Sequence, residues 1–144
     1  MIALDTNVLV YAHRSDAEFH DQASALLEEL AAGTTHWAIP WPCAHEFIAV
    51  VTHPRIYKKP TPLEIALKTL AALNQLPHVE FIGEGDSYLE RLTEVAKPAH
   101  VVGGAIHDAR IAAICKYHSV TELWSADRDF SRFTQLKVRN PLLA

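Results

Sequence analysis

Four acidic residues stand where a carboxylate is unexpected unless something compensates its charge. Asp5 and Asp127 follow the short apolar segments 2–4 and 123–125, the second after one intervening alanine. Glu46 and Asp108 fall within the apolar stripes of two segments that have helical spacing. A buried carboxylate without a partner is costly, so each of these groups should be protonated, paired or bound to a metal ion.

Each of these residues also has a simpler structural explanation when it is taken alone. Asp5 and Asp127 could be helix N-caps or turn residues, Asp108 could cap the helix that follows two glycines, and Glu46 could pair with a buried arginine. Four independent coincidences at one end of a sheet are less expected than a common site. Basic partners are scarce as well, because Arg110 points about 160° away from the stripe of Asp108 at ~100° per residue.

The side chains available to such a cluster favour Mg²⁺ or Mn²⁺, which prefer oxygen ligands, over zinc. The sequence His45-Glu46 is followed by Ala49 where a zinc protease helix would have a second histidine. Cys43 and Cys115 are the only cysteines and are far apart in the sequence. They offer no cysteine–zinc site and no disulfide framework, which fits a reduced cytoplasm.

Apolar runs and helical spacings alternate along the chain. Strands are predicted at 2–4, 36–39, 79–82, 123–125 and, at a sheet edge, 137–139; helices are predicted at 6–13, 20–32, from 42 to before 54, from about 63 to 73, 88–96 and about 105–117. This alternation predicts an α/β fold with a mainly parallel sheet of four to five strands and helices on both faces. Sites in such sheets gather at the carboxyl ends of the strands, where Asp5 and Asp127 are expected.

The composition predicts one globular domain over residues 1–144. The chain has 144 residues, of which 49% are hydrophobic, and this fraction is too high for general disorder. Its apolar runs are far shorter than the ~20 residues of a membrane span, and no signal peptide is expected. The net charge of −4 counts against a module that binds nucleic acid by bulk charge. It does not count against an enzyme whose acidic residues hold cations.

Four segments together resemble a known family. They are Leu4-Asp5-Thr6-Asn7-Val8-Leu9, the helix that carries Glu46, the segment 107–113 (HDARIAA) and the segment 125–130 (SADRDF). In this order and spacing they are similar to a PIN domain, and specifically to the VapC-type ribonuclease toxins of bacterial toxin–antitoxin pairs. The resemblance covers essentially the whole chain.

The resemblance implies an endoribonuclease that depends on one or two Mg²⁺ or Mn²⁺ ions, forms a homodimer and is inhibited by a cognate VapB antitoxin. It assigns the catalytic, metal-binding role to four carboxylates, those of Asp5, Glu46, Asp108 and Asp127. By the same resemblance, the Thr6 hydroxyl is expected to hold a metal-bound water or another ligand. Asn7 and Ser125 are expected to orient the carboxylates. Asp129 ranks behind Asp127 as a metal ligand.

RNA contacts are expected from basic residues near these segments. The stretch 53–60 combines an aromatic residue, Tyr57, with the positive charges of Arg55, Lys58 and Lys59, as a loop that follows phosphates and stacks on bases would. A solvated loop explains the same composition. Arg110 and Arg128 are further phosphate candidates.

Three other functions compete with this one. A catalytically silent PIN-like module that binds RNA or a protein partner would keep the fold but would be expected to lose one or more acids. A phosphotransferase of the haloacid-dehalogenase type needs an acid two residues after Asp5, where this chain has Asn7, so that class is rejected. DNA in place of RNA stays open, because no residue pattern reads a 2′-hydroxyl.

Overall fold

The computed structural model describes residues 1–143 and shows a five-stranded, fully parallel sheet. The strands are β1 (Ile2–Leu4), β2 (Trp37–Pro40), β3 (Val79–Ile82), β4 (Glu122–Trp124) and β5 (Lys137–Arg139). Their order across the sheet is β3-β2-β1-β4-β5. The first strand is therefore central, and the direction of winding reverses between β1 and β4, the place where α/β sheets form sites.

Helices connect the strands and cover the sheet. Within residues 1–143 they are α1 (Thr6–His13), α2 (His20–Ala32), α3 (Trp41–Val51), α4 (Leu63–Asn74), α5 (Tyr88–Ala96) and α6 (Ile106–Tyr117). Short 3₁₀ turns occupy Gly103–Ala105 and Arg128–Arg132. The α/β prediction, the parallel sheet and the edge position of β5 are confirmed.

Both faces of the sheet are buried, because successive side chains of a strand point to opposite faces. Ala3 of β1 and Ala38 of β2 belong to the core cluster that includes α5 and α6. Leu4 and Trp37 belong to the cluster that includes α1, α3 and α4. Two covered faces explain why the strands are continuous apolar runs instead of alternating ones.

Two strands are shifted by one residue from the sequence prediction, since β4 spans 122–124 instead of 123–125 and β2 spans 37–40 instead of 36–39. In β4 the difference follows from pairing: Glu122 is opposite Ile2 on one side and Lys137 on the other. Its carboxylate accepts from the Trp124 indole N–H at 3.2 Å and lies 3.6 Å from the Lys137 ammonium. A polar residue with these partners can open a strand whose apolar run starts one position later.

None of the helices described in residues 1–143 combines the length and apolar character required to cross a membrane.

Candidate active site

The carboxyl ends of β1 and β4 lie side by side at the centre of the sheet, and a cavity of about 260 Å³ opens beyond them. The Asp5 amide donates to the Trp124 carbonyl oxygen at 3.0 Å, which extends the strand pairing past Leu4. The cavity is lined by residues from α1, α3, α6 and two loops: Asp5, Thr6, Asn7, Val10, Tyr11, Glu46, Val50, Tyr57, Asp108, Ile111, Asp127 and Phe130. All four carboxylates identified in the sequence are therefore brought to one cavity.

Asp5 is almost completely buried, at 4% exposure, and its carboxylate is surrounded by donors. Its Oδ1 accepts from the Thr6 amide at 2.8 Å and from the Cys43 thiol at 3.4 Å. Its Oδ2 accepts from the Ser125 hydroxyl at 2.7 Å and from the Asn7 amide nitrogen at 3.3 Å. Burial raises the pKa of Asp5, and the hydrogen bond from Ser125 opposes that rise most strongly.

Asp5 also caps α1, so the simpler explanation for this residue holds together with the functional one. The bond from the Thr6 amide satisfies one of the free N–H groups at the start of the helix. The positive end of the helix dipole lies at the same carboxylate and favours its ionised form. Capping therefore fixes the Asp5 side chain at the cavity.

Ser125 and Asn7 attach the loop after β4 to Asp5. The Ser125 hydroxyl donates to Asp5 and accepts from the Asp127 amide at 2.9 Å. The Asn7 side chain donates to Ser125 at 3.2 Å, and its carbonyl oxygen accepts from the Ala126 amide at 3.1 Å. These bonds fix the direction in which the chain leaves β4, and thereby place Asp127 over the cavity.

Asp108, Asp127 and Asp129 form a cluster in which one carboxylate oxygen of each lies within 4.8 Å of the others. Asp108 and Asp127 are partly buried and Asp129 is exposed. The pKa of Asp108 is raised to about 6, mainly by burial and then by the negative charges of Asp127, Asp5 and Asp129, in that order of importance. Repulsion of this kind is what a bound cation relieves.

The two acids of the β4 loop are held in different ways. Asp127 Oδ1 accepts from the Asp129 amide at 2.8 Å, so Asp127 caps the short turn Arg128–Arg132. Asp129 belongs to the acidic cluster but does not line the cavity, whereas Asp127 does both.

Asp108 is not the N-cap of α6. The cap is Ala105, and Asp108 lies in the first turn of the helix, where the dipole favours a negative charge. The chain enters this helix through Gly103, whose φ of 57° lies in the left-handed region that suits glycine. That turn directs the start of α6, and with it Asp108, at the carboxyl ends of the strands.

Glu46 is exposed, and its predicted place in an inward-facing stripe is wrong. The buried side of α3 consists of Cys43, Ala44, Phe47 and Val51, and Glu46 lies at the border of that side. Its Oε2 accepts from the Thr6 hydroxyl at 3.2 Å instead of from a buried arginine. The Thr6 hydroxyl also lies 3.4 Å from the Cys43 carbonyl oxygen, so it orients Glu46 at the mouth of the cavity.

The donor set fits a hard divalent cation. Four of the described lining residues are carboxylic acids, one is a threonine and one is an asparagine, and none of them is Lys, Arg or His. Carboxylates without a cationic neighbour in the same cavity require compensation. Oxygen ligands of this kind suit Mg²⁺ or Mn²⁺.

The cysteines near the site are buried thiols without the character of a nucleophile. Burial raises the pKa of Cys43 well above its usual value and that of Cys115 to about 12. Both therefore stay protonated at neutral pH. Cys43 serves as a weak hydrogen-bond donor to Asp5.

The basic residues expected to contact RNA are not in the cavity. Arg55, Lys58 and Lys59 are exposed and do not line it. Arg110 makes a bidentate pair with Glu84, in which Nε donates to Oε1 at 3.2 Å and Nη2 donates to Oε2 at 3.2 Å. It borders a neighbouring groove that shares Glu46, Asp108 and Ile111 with the cavity. Arg128 is exposed, directly after Asp127.

Sequence reasoning missed Arg14, the C-cap of α1, whose guanidinium carbon lies 3.9 Å from the ring centre of Tyr57. Tyr57 itself lines the cavity. No local pattern could identify this pair, because the two residues meet only in the folded chain.

Comparison with known proteins agrees with this geometry. The PIN domain family model matches residues 2–136. Ribonuclease VapC48 of Mycobacterium tuberculosis is 34% identical over 137 residues, which are 95% of this chain and 94% of that protein. Ribonuclease VapC43 of the same species is 36% identical over 142 residues, or 99% and 96% of the two chains.

A solved structure shares the fold. VapBC2 from Rickettsia felis, bound to a DNA fragment from their promoter, superposes with a TM-score of 0.67 at 24% identity over 96% of this chain and 98% of that one. By its match to the family model and its identity to two curated relatives, the chain belongs to the PIN-domain family and, within it, to the VapC ribonucleases.

Proposed function

We propose that this protein is a metal-dependent endoribonuclease that hydrolyses RNA phosphodiester bonds and acts as the toxin of a VapBC-type toxin–antitoxin pair. The observation that carries the proposal is the convergence of Asp5, Glu46, Asp108 and Asp127 on one cavity that has no Lys, Arg or His among its described lining residues. Carboxylates alone would repel a phosphodiester, so a cation must lie between them and the substrate.

The cation would be one or two Mg²⁺ or Mn²⁺ ions held by Asp5, Asp108 and Asp127, with Glu46 at the cavity mouth as a further ligand and Asp129 at the exposed edge. When bound, such an ion offsets the phosphodiester charge and lowers the pKa of water. Ser125 and Asn7 hold the Asp5 carboxylate in one orientation. Glu46, oriented by the Thr6 hydroxyl, places a carboxylate at the cavity mouth that can accept a proton from the attacking water.

RNA is proposed as the substrate because the relatives VapC48 and VapC43 are named ribonucleases. A cytoplasmic location is proposed as well, because it suits action on RNA. The described cysteines, Cys43 and Cys115, are both buried free thiols, as a reducing compartment allows.

The test is cleavage of RNA and of a DNA strand of the same sequence in Mg²⁺, in Mn²⁺ and in EDTA. We expect RNA cleavage with either cation and loss of activity in EDTA. Asp5→Asn should lower the rate more than ~100-fold, which is the upper end of the usual effect of removing a residue that only orients a metal ligand. Asp21→Asn, an exposed acid on α2, is the matched control and should leave the rate unchanged. Binding of RNA without cleavage would favour the silent module, and cleavage of DNA alone would overturn the choice of substrate.

We further propose a VapB-like antitoxin as the partner, since the solved relative from Rickettsia felis is a VapBC complex. An antitoxin segment that enters the acidic cavity would compete with substrate and cation, and an arginine among the carboxylates would suit their charge. Co-expression with a neighbouring VapB-like reading frame should relieve growth arrest caused by this chain. Persistent arrest despite expression of both proteins would argue against the toxin role.

A homodimer is also proposed. Exposed apolar side chains on α4 and α5 offer surface that association can bury, namely Leu63, Ile65 and Leu67 on the first helix and Leu89 on the second. Light scattering of the purified chain should give twice the mass of 16.0 kDa. A monomeric mass at micromolar concentration would contradict this.

A further inference from the structure

An apolar wall adjoins the carboxylates of the cavity. The segment 53–60 contributes Tyr57 to this wall. The other members of the wall are Val10, Tyr11, Val50 and Phe130. The charged residues of the same segment, Arg55, Lys58 and Lys59, do not line the cavity. The part of the segment that reaches the site is therefore its aromatic ring and not its positive charge.

Arg14 holds this ring through a set of contacts that use its whole guanidinium group. Its Nε and Nη2 donate to the two carboxylate oxygens of Asp16 at 2.9 and 2.6 Å. Its Nη1 donates to the Lys59 carbonyl oxygen at 2.9 Å and lies 3.4 Å from the Thr61 hydroxyl. The guanidinium carbon is 3.9 Å from the ring centre of Tyr57, and the Arg14 side chain is only 12% exposed.

This arrangement is suited to positioning and not to phosphate binding. Asp16 neutralises the Arg14 charge, and the remaining N–H groups are directed at the loop that carries Tyr57. His13 strengthens the same loop, because its Nε2 lies 2.9 Å from the Thr61 hydroxyl. A fixed aromatic ring loses little conformational entropy when a planar group stacks on it or packs at its edge.

The ring is also electrically suited to a site that binds anions. Burial raises the pKa of Tyr57, so the phenol stays neutral beside the carboxylates and does not repel a phosphodiester. Every nucleobase has a π-face, and base–aromatic stacking is a sequence-tolerant source of affinity. Bases within a duplex are already stacked and paired, so only an unpaired nucleotide can use such a wall.

We infer that Tyr57 is a substrate-binding residue that receives the nucleobase next to the scissile phosphate, and that Arg14 is its positioning residue. The inference rests on the proposed nuclease function. It gives the cavity two halves: carboxylates for the cation and phosphate, and an aromatic wall for the base.

The test compares two ligands that differ only in the base. AMP and ribose 5-phosphate are titrated into the Mg²⁺-loaded protein and followed by NMR chemical shifts. We expect the wild type to bind AMP about tenfold more tightly, from the usual size of a base–aromatic contact. Tyr57→Leu should abolish this preference and Tyr57→Phe should keep it. Arg14→Gln leaves the Tyr57 ring present but removes the guanidinium group that fixes it, so this variant should reduce the preference for AMP. Tyr117→Leu, an exposed tyrosine outside the cavity, is the control and should keep it.

Equal affinities for AMP and ribose 5-phosphate in the wild type would overturn the inference, and so would an undiminished preference in folded Tyr57→Leu. Should Tyr57→Leu fail to fold, as judged by circular dichroism, the wild-type comparison and Arg14→Gln decide. In RNA cleavage, Tyr57→Leu should raise KM about tenfold with kcat near that of the wild type.

The two proposals fail separately. A wild type that cleaves RNA but binds AMP and ribose 5-phosphate equally refutes the aromatic site alone. A wild type that cleaves no RNA in Mg²⁺ or Mn²⁺ refutes the proposed function, whatever the two ligands show.

Discussion

At the scale of single residues, the site depends on how buried carboxylates are kept ionised and oriented. Asp5 is held by four donors, and its pKa is nevertheless raised because burial outweighs them. Asp108 has no such set of donors, and neighbouring negative charges add to the effect of its burial. The first residue is therefore organised in advance by the protein, whereas the second experiences a repulsion that a bound cation would relieve.

Asp108→Asn should raise the melting temperature of the cation-free protein at pH 7. The pKa of Asp108 is about 6 in the folded chain against 3.8 for the free residue, so the folded state binds more protons in this interval. Wild-type stability in EDTA should accordingly fall as pH rises from 3.8 to about 6, and Asp108→Asn should reduce this fall by removing the contribution of Asp108.

Adding Mg²⁺ or Mn²⁺ reverses the comparison, because only the wild type keeps the full ligand set. Thermal unfolding between pH 4.5 and 7.5, with EDTA or with cation, measures both effects. An Asp108→Asn variant that is less stable than the wild type in EDTA at pH 7 would contradict the repulsion between Asp108 and its acidic neighbours.

Ser125→Ala should lower kcat by roughly 10- to 100-fold, the usual effect of removing a group that orients a ligand. The Ser125 hydroxyl is the strongest influence that lowers the pKa of Asp5, so its loss raises that pKa further. The acidic limb of the activity–pH profile should then move to higher pH. Ser131→Ala, an exposed serine in the turn Arg128–Arg132, is the control. An unchanged pH profile would show that Ser125 does not act through Asp5.

At the scale of elements, parallel pairing of β1 with β4 places the site. Leu4 is opposite Trp124, so the residues that follow both strands emerge at the same edge. The capping of α1 by Asp5 and the left-handed Gly103 before α6 bring two helix starts to that edge. The geometry of the site therefore depends on the register between two strands of three residues each.

Leu123→Ala should destabilise the whole domain, because Leu123 in β4 is completely buried. Truncation of a buried leucine costs about 2–5 kcal/mol. Leu143→Ala, where the side chain is 60% exposed, should change the unfolding free energy by less than about 0.5 kcal/mol. Urea denaturation followed by circular dichroism measures both. A cost below about 1 kcal/mol for Leu123→Ala would mean that burial of Leu123 does not anchor β4.

At the scale of the whole molecule, the negative net charge disfavours the binding of RNA. The chain carries a net charge of −4, and its field at long range repels RNA. Attraction has to come from bound cations and from local positive charge. Arg55, Lys58 and Lys59 are exposed on one loop beside the cavity wall and are proposed to contact phosphates further along the strand.

Replacing Arg55, Lys58 and Lys59 with Gln should raise KM for RNA and flatten its salt dependence, because each lost phosphate contact removes about 0.7 from the logarithmic slope for a single strand. Lys68, Lys97 and Lys137, changed to Gln together, remove the same total charge from other surfaces. If the two triple variants have the same KM and slope, net charge alone governs binding and the loop has no specific role.

The sequence was sufficient for the fold class and for most element boundaries, since helical and strand spacing are local properties. Helices α1, α2 and α5 span their predicted residues, and the parallel sheet follows from the alternation of elements. Residue type likewise indicated the four carboxylates of the site, because burying a carboxylate among apolar residues costs free energy in any fold.

Tertiary structure alone decided what depends on distance. Glu46 is exposed because the border of the buried side of α3 depends on how that helix packs. The bond from Ser125 to Asp5 joins residues from two different strand ends, and the stack of Arg14 on Tyr57 joins the end of one helix to a loop after another. Spacing along the chain fixes which face of an element a residue occupies, but the partner of that face is set only when separate elements pack together.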